Sequence, residues 1–198
     1  GKGTSPPPTQ AADPTYIWAP MQLVSKLFGR TLREAPSDAE MSCHIWLARA
    51  GLIRRLATGL YAVQPMGHKA IKRIEAIIRQ EMETIDGQEL SLPLVQPAEI
   101  WEKSGRYQLI GNELVRFKDR GQHPMVLAMT HEEAVTQVAS EELSSHRQLP
   151  FMLWQFQLKF RDEPRARGGL IRAREFTMKE AYSVHEEQEC RHEDYQRA

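Results

Sequence analysis

The sequence predicts an α+β fold in which helices flank an antiparallel β-sheet. One segment, 66–86, has the apolar periodicity of an amphipathic helix, and the next, 89–95, switches to the alternation of a strand. Four further strand-like segments are paired across turn residues, which predicts two hairpins, 114–118 with 125–129 and 151–161 with 170–183. Since no strand–helix–strand unit recurs along the chain, a doubly wound parallel sheet is not expected.

Composition limits the classes of protein to consider. The 198 residues suffice for one domain with an appendage. Lysine plus arginine and aspartate plus glutamate both number 26, so bulk positive charge cannot drive nucleic-acid binding. No apolar run reaches the ~18 residues of a membrane helix. The two cysteines, Cys43 and Cys190, form neither a disulfide framework nor a zinc site, so we expect a cytoplasmic protein without membrane contact.

The chain is predicted to divide into an arm and one folded domain. Six of the first eight residues are Gly, Pro or Ser, so residues 1–20 are expected to form a flexible Pro-rich arm or the remnant of a tag. Within 21–198, a capping box at 37–40 predicts a helix over 41–50 that ends at Gly51. A short strand is expected at 59–63.

The helix over 66–86 carries the strongest periodic signal. Its apolar positions recur at spacings of three and four residues, at Ile71, Ile74, Ile78, Met82 and Ile85. The strand predicted after it contains Pro93, which cannot donate a hydrogen bond to a sheet. We therefore expect this strand to lie at a sheet edge or at an interface.

The second half of the chain predicts a helix between two hairpins. Gly121 marks the turn of the first hairpin, and Thr130 is expected to cap a helix over 131–142. A charged loop at 162–169 joins the strands of the second hairpin, and 185–198 is expected to be helical. A zinc-protease helix is excluded at His131, because position 135 is valine rather than a second histidine.

The second hairpin carries the residues best suited to chemistry. Six basic residues fall within 16 positions: Lys159, Arg161, Arg165, Arg167, Arg172 and Arg174. Guanidinium groups match phosphate oxygens, so the cluster suits a polyphosphate, although a solvated charged hairpin is the simpler alternative. Alternation along the second strand places one set on a single face: Arg172, Arg174, Phe176, Met178, Glu180 and Tyr182.

These residues resemble a known family. Motif 2 of class II aminoacyl-tRNA synthetases is resembled by three consecutive features of this hairpin. These are the residues from Phe160 to Glu163, the loop after them, and then Arg172 and Phe176, which lie four positions apart. The longer segment 159–183 resembles the bacterial-type prolyl-tRNA synthetases in particular, as do 130–133, 87–101, and 31–34 followed by 49–53. The match spans about residues 21–190, with motif 1 at about 66–97 and motif 2 at about 158–183.

The resemblance implies an ATP site in the hairpin. Arg161 matches the catalytic arginine that binds the α-phosphate and orients the attack of the carboxylate, and Glu163 matches a contact on the adenine side. Arg172 matches the residue that reaches the γ-phosphate, and Phe176 the ring that stacks on adenine. ATP and Mg²⁺ are the implied cofactors, and no protein ligands for the metal are identified.

The resemblance also implies sites for the other partners. Thr130 and Glu132 match the loop that holds the amino group of L-proline, and three residues match the lining of the proline pocket: Met178, Glu180 and Tyr182. Arg165 and Arg167 lie in the loop expected to touch the acceptor end of tRNA(Pro), and Pro93 matches the motif 1 proline of a homodimer interface.

The implied activity is the ATP-dependent formation of prolyl-adenylate and transfer of proline to tRNA. Motif 3, the editing insertion and the anticodon-binding domain are absent, so a fragment of the catalytic domain, incomplete at its C-terminus and weakly active or inactive alone, is expected. A non-catalytic synthetase-like paralogue that binds or regulates is the alternative. A hairpin that binds nucleic acid by itself fits the zero net charge less well.

Overall fold

The computed structural model describes residues 23–186, and the arm at 1–20, Cys190 and nearly all of the helix expected at 185–198 lie outside the described residues. The fold is α+β, as predicted. Its helices are α1 (Ser42–Arg49), α2 (Pro65–Thr84), α3 (Ala98–Lys103), α4 (Arg106–Leu109) and α5 (Glu132–Glu142). Its strands are β1 (Ile53–Ala57), β2 (Leu60–Val63), β3 (Gln88–Glu89), β4 (Val95–Pro97), β5 (Arg116–Lys118), β6 (Pro124–Leu127), β7 (Phe151–Phe160) and β8 (Glu175–Val184).

Within residues 23–186 the strands form three small sheets instead of one. The strands β1 and β2 pair as a hairpin, β4–β6–β5 form an antiparallel sheet, and β3–β7–β8 form a third. In the third sheet β7 and β8 are antiparallel over their whole length, whereas β3 is parallel to β7. No helix in this part of the chain is long and apolar enough to cross a membrane.

Helix α2 packs on one face of the third sheet through its C-terminal half. Met82 is buried there against Met152 and Trp154, with Ile78 and Ile85 around them. Two isoleucines near the middle of the helix are not covered: Ile74 and Ile77 are each 57% exposed. The helix is therefore confirmed, but only part of its apolar face is core within the described fold.

A second core lies between α3, α5 and the sheet β4–β6–β5. Its largest fully buried side chains are Trp101, Leu114 and Val126, all at 2% exposure or less. Leu153 and Tyr182, from the other face of the third sheet, pack against its margin. The third sheet thus lies between α2 and this second core, and the face that meets the second core carries the polar residues described below.

Three predicted boundaries are wrong. Helix α1 begins at Ser42 without a side-chain cap, and Asp38 of the expected capping box forms an ion pair with Arg55 instead. Thr130 does not cap α5, since the N-cap is His131. The strand predicted at 89–95 is continuous only in sequence: its first residues pair with β7 as β3, and Val95 pairs with β6 as the start of β4. Between them, the side chains of Gln155 and Gln157 on β7 bond the backbone of Leu92.

Candidate active site

The polar face of the hairpin β7–β8 is the centre of the candidate site. Residues directly opposite each other in an antiparallel pair share a face. The register places four such pairs there: Lys159 with Phe176, Gln157 with Met178, Gln155 with Glu180, and Leu153 with Tyr182. The predicted common face is therefore confirmed from Phe176 to Tyr182, and the alternation of β7 extends it to Arg161.

Arg161 and Phe176 lie together at one end of this face. The Arg161 guanidinium is 5.3 Å from the centroid of the Phe176 ring, a cation–π distance. Its Nη2 also donates to the Met129 carbonyl oxygen at 3.3 Å. The predicted phosphate-binding arginine is thus placed beside both the predicted adenine-stacking ring and the loop that leads into α5.

Arg172 does not share that face, which corrects the prediction for the second strand. Strand β8 begins only at Glu175, after a 3₁₀ turn over Gly169–Ile171, so Arg172 and Arg174 precede it. Arg172 Nη2 forms an ion pair with Glu163 Oε1 at 2.9 Å. The Arg165 backbone N–H and the Arg172 guanidinium hold the pKa of Glu163 below its ordinary value. Two predicted ATP contacts are therefore paired with each other.

The six basic residues do not form one phosphate-binding cluster. Lys159 is fully buried, and Arg174 lies 3.5 Å from Asp162. Arg165 and Arg167 are exposed in the loop, and neither side chain forms an ion pair with another residue in 23–186. The cationic surface is therefore confined to Arg161 and the loop arginines, because nearby carboxylates neutralise the others.

Lys159 is the centre of a buried polar network. Its ammonium contacts His131 Nδ1 and Glu180 Oε2. Glu180 Oε2 also accepts from the Tyr182 hydroxyl at 2.7 Å and from Gln155 Nε2 at 3.1 Å. Burial lowers the pKa of Lys159 and of His131, and burial together with the Glu180 carboxylate raises the pKa of Tyr182. Alternation identified Glu180 and Tyr182, but nothing in the pattern identified His131 or Gln155 as their partners.

Two neighbouring glutamates at the start of α5 have different environments. The Glu133 side chain is 3% exposed and accepts from Arg106 Nη1 at 2.9 Å and from Ser104 Oγ at 3.0 Å. The Glu132 side chain is 57% exposed and contacts Arg106 only at 3.3 Å. Glu133 is structural, whereas Glu132 keeps a carboxylate accessible to a ligand. Sequence reasoning missed both Arg106 and Glu133.

The charge of Glu132 is maintained by its surroundings. Partial burial acts to raise the pKa of this carboxyl, but the Thr130 hydroxyl, a backbone N–H and Arg106 together lower it below its ordinary value. Glu132 lines a cleft of about 450 Å³ together with Tyr182 and Val135. Glu132 and Tyr182 therefore face one cleft, and Thr130 lies two positions before Glu132 in the loop that leads into α5. Among residues 23–186 no group of three acidic, His or Cys side chains could hold a metal ion.

Pro93 lies on a half-buried segment between β3 and β4 that is hydrogen-bonded to side chains of the site. Its carbonyl oxygen accepts from His131 Nε2 at 3.1 Å, and the preceding Leu92 N–H donates to Gln155 Oε1 at 3.1 Å. Burial alternates from Leu90 to Leu94 as the sequence predicted, with Pro93 facing outward, and the alternation continues to Ala98.

Comparisons with known proteins agree with this geometry. Residues 115–197 match the family model of the tRNA synthetase class II core domain (G, H, P, S and T). The chain is 50% identical over 165 residues to the proline–tRNA ligase of Coprothermobacter proteolyticus, covering 83% of this chain and 30% of the relative. It is 51% identical over 172 residues to that of Exiguobacterium sibiricum, covering 87% of this chain and 30% of the relative.

A solved structure supports the fold alone. The prolyl-tRNA synthetase of Giardia lamblia, in complex with prolyl-adenylate, superimposes with a TM-score of 0.69 at 23% identity, covering 75% of this chain and 31% of that one. The chain spans about 30% of the length of the curated relatives it matches. Residues 115–197 thus carry class II tRNA synthetase core-domain sequence, and over most of its length the chain is a homologue of bacterial proline–tRNA ligases.

Proposed function

We propose that this chain forms part of an enzyme that activates L-proline with ATP and transfers it to tRNA(Pro). The observation that carries the proposal is that two pairs of side chains, Arg161 with Phe176 and Thr130 with Glu132, are joined through Met129 beside the polar face of β7–β8. Arg161 lies over Phe176, and its guanidinium donates to Met129, directly before the loop that presents Thr130 and Glu132. A group for phosphate and ring recognition and a group for ammonium recognition therefore adjoin.

The reaction follows from these positions. The proline carboxylate attacks the α-phosphorus of ATP, a P–O bond forms, and pyrophosphate leaves with the electrons of the broken bond. Arg161 donates to the α-phosphate oxygens, where negative charge increases, and Phe176 supports the adenine. Glu132 accepts from the secondary ammonium of proline, and Met178, Glu180 and Tyr182 form the pocket wall.

The remaining ATP contacts require a change of partner. Arg172 reaches the γ-phosphate only by sharing or leaving Glu163, to which it is bound at 2.9 Å. Magnesium bound to the nucleotide would supply charge neutralisation at the phosphates. Arg165 and Arg167, exposed in the loop, are proposed to contact the tRNA acceptor end.

The proposal extends to assembly and location. Residues 21–198 would be the N-terminal portion of the catalytic domain, acting in the cytoplasm as a homodimer through motif 1. The two exposed isoleucines of α2, Ile74 and Ile77, support an interface there. Pro93, on the segment that follows α2, also faces outward. A second copy would remove these side chains from water.

Proline-dependent exchange of pyrophosphate into ATP tests the activity. We would compare proline, alanine and cysteine as substrates of the 198-residue chain and of a version extended to the length of its curated relatives. Exchange selective for proline in the extended version supports the proposal. No exchange in either version, with both folded, favours a non-catalytic relative.

A further inference from the structure

Lys159 is a fully buried lysine, which is unusual for this residue type. Its side chain is 0% exposed on the polar face of β7, near the C-terminal end of the strand and two residues before Arg161. Removing an ammonium from water is costly unless it is paired and hydrogen-bonded. Here the ammonium contacts Glu180 Oε2 on β8 and His131 Nδ1 in the loop before α5. It therefore joins the two walls of the candidate amino-acid pocket.

The first of these contacts neutralises Glu180. The Glu180 side chain is 10% exposed and is surrounded by the Lys159 ammonium, the Tyr182 hydroxyl and the Gln155 amide. A carboxylate so engaged has little charge to offer a substrate. Glu132, exposed and held only at 3.3 Å by Arg106, is the carboxylate that can pair with a ligand ammonium.

The second contact fixes the loop that presents Glu132. His131 lies between Thr130 and Glu132 in the chain, is buried, and is bound at both ring nitrogens. Since lysine can only donate, Nδ1 accepts, and Nε2 carries the proton that it donates to the Pro93 carbonyl at 3.1 Å. The loop is thereby tied to β7 on one side and to the segment carrying Pro93 on the other.

We propose that Lys159 is a positioning residue for amino-acid recognition, acting through Glu180 and His131. By bridging them it keeps Tyr182 and Glu132 facing the same cleft, and it leaves Glu132 as the single counter-charge for the substrate ammonium. This inference rests on the proposed function, because it assigns Lys159 a role in recognising the amino acid that is activated.

The experiment measures KM for proline and for ATP separately, by pyrophosphate exchange in the extended protein. We would compare Lys159→Met with Lys159→Met/Glu180→Gln. The control is Lys179→Met, a change of the same size on β8 whose side chain lies on the opposite face of the sheet. Lys159→Met is expected to raise KM for proline by about 10- to 100-fold, the range of couplings between contacting charged groups.

The pattern across variants separates positioning from general damage. KM for ATP should change less than about threefold in Lys159→Met. The double variant should recover part of the loss, because it no longer buries an unpaired carboxylate. The control should behave as the parent. Unchanged KM for proline in Lys159→Met, or equal increases in both KM values, would overturn the inference.

Two further outcomes are informative. If Lys159→Met does not fold, the double variant is compared with Glu180→Gln. Both lack the carboxylate, so a higher KM for proline in the double variant supports the role of the His131 contact, and an equal KM overturns it. If the parent shows no proline-dependent exchange, the proposed function fails and this inference falls with it. An active parent with unaffected Lys159 variants removes only the inference.

Discussion

Glu132 and Glu133 are adjacent in sequence, yet 57% of one side chain and 3% of the other is exposed. Both residues lie in the first turn of α5, where successive side chains point about 100° apart. One carboxylate therefore faces the cleft, and the other contacts Arg106 and Ser104. The pair separates a proposed ligand contact from a structural one. It also provides matched variants for testing them.

Glu132→Gln should affect substrate binding, whereas Glu133→Gln should affect stability. Glu132→Gln removes a counter-charge, so KM for proline should rise by about 10- to 100-fold while unfolding free energy changes by less than ~0.5 kcal/mol. Glu133→Gln weakens buried charged hydrogen bonds, so unfolding free energy should fall by about 1–3 kcal/mol. Exchange kinetics and denaturant unfolding of both variants provide the measurement. Equal stability losses would contradict the assignment.

Arg161→Ala should reduce the rate of pyrophosphate exchange by ~10²–10³, the usual cost of losing one preorganised charge-stabilising donor. The control is Arg120→Ala, an exposed arginine in the turn between β5 and β6, which should leave the rate unchanged. Single-turnover adenylate formation would show whether the loss is in the chemical step. An Arg161→Ala rate close to the parent would remove this residue from the catalytic machinery.

Gly169→Ala should destabilise the loop of the hairpin. Gly169 has φ +65°, and a Cβ there would lie 2.9 Å from the ring of His44 on α1. A left-handed non-glycine residue costs about 1–3 kcal/mol, which lowers Tm by several degrees. Gly111→Ala is the matched control, since nothing lies within 4 Å of its Cβ position. Thermal unfolding of both variants tests this, and equal Tm values would contradict the predicted close approach.

The ion pair between Arg79 and Glu89 should make a small, pH-dependent contribution to stability. Nε of Arg79 lies 2.7 Å from Oε2 of Glu89, and this guanidinium lowers the pKa of the carboxyl. A carboxyl whose folded pKa is depressed stabilises above its unfolded pKa, near ~4.3, and loses that effect as pH falls through the folded value. Both side chains are 38% exposed, so the contribution should be at most ~1 kcal/mol.

Glu89→Gln isolates this contribution. The difference in unfolding free energy between parent and variant should be constant from pH 7 to about 5.5 and should vanish at lower pH. Urea titrations across that range measure it. A difference that grows as the pH falls would contradict the direction of the shift.

The exposed isoleucines of α2, Ile74 and Ile77, should mediate self-association. Ile74→Glu combined with Ile77→Glu places two charges on the proposed interface, so sedimentation equilibrium of the extended protein should show a shift from dimer to monomer. Leu109→Glu is the control, because Leu109 on α4 is 82% exposed but outside motif 1. A dimer that survives the double change would place the interface elsewhere.

Sequence patterns predicted much of this fold because its long elements repeat a simple period. The periodicity of α2 and the alternation of β7 and β8 are visible without tertiary information. The start of β8 could not be predicted in this way, because the 3₁₀ turn at Gly169–Ile171 interrupts what looks in the sequence like a continuous strand. Arg172 therefore appeared to share a face with Phe176, whereas it pairs with Glu163.

The hydrogen bonds between side chains of the site could not be predicted from local sequence patterns. Lys159 appeared to belong to a phosphate-binding cluster, since charge density along a chain does not distinguish buried from exposed lysines. Its partner His131 is 28 positions away, and the link from His131 to Pro93 spans 38. Such contacts depend on how hairpins and loops pack, which period and propensity do not specify.

A crystal structure of the extended protein with a non-hydrolysable mimic of prolyl-adenylate tests the proposed site most directly. The proline nitrogen should lie within hydrogen-bonding distance of Glu132, the adenine against Phe176, and the phosphate mimic at Arg161. A mimic bound away from the polar face of β7–β8, or a proline nitrogen paired with Glu180 in place of Glu132, would contradict it.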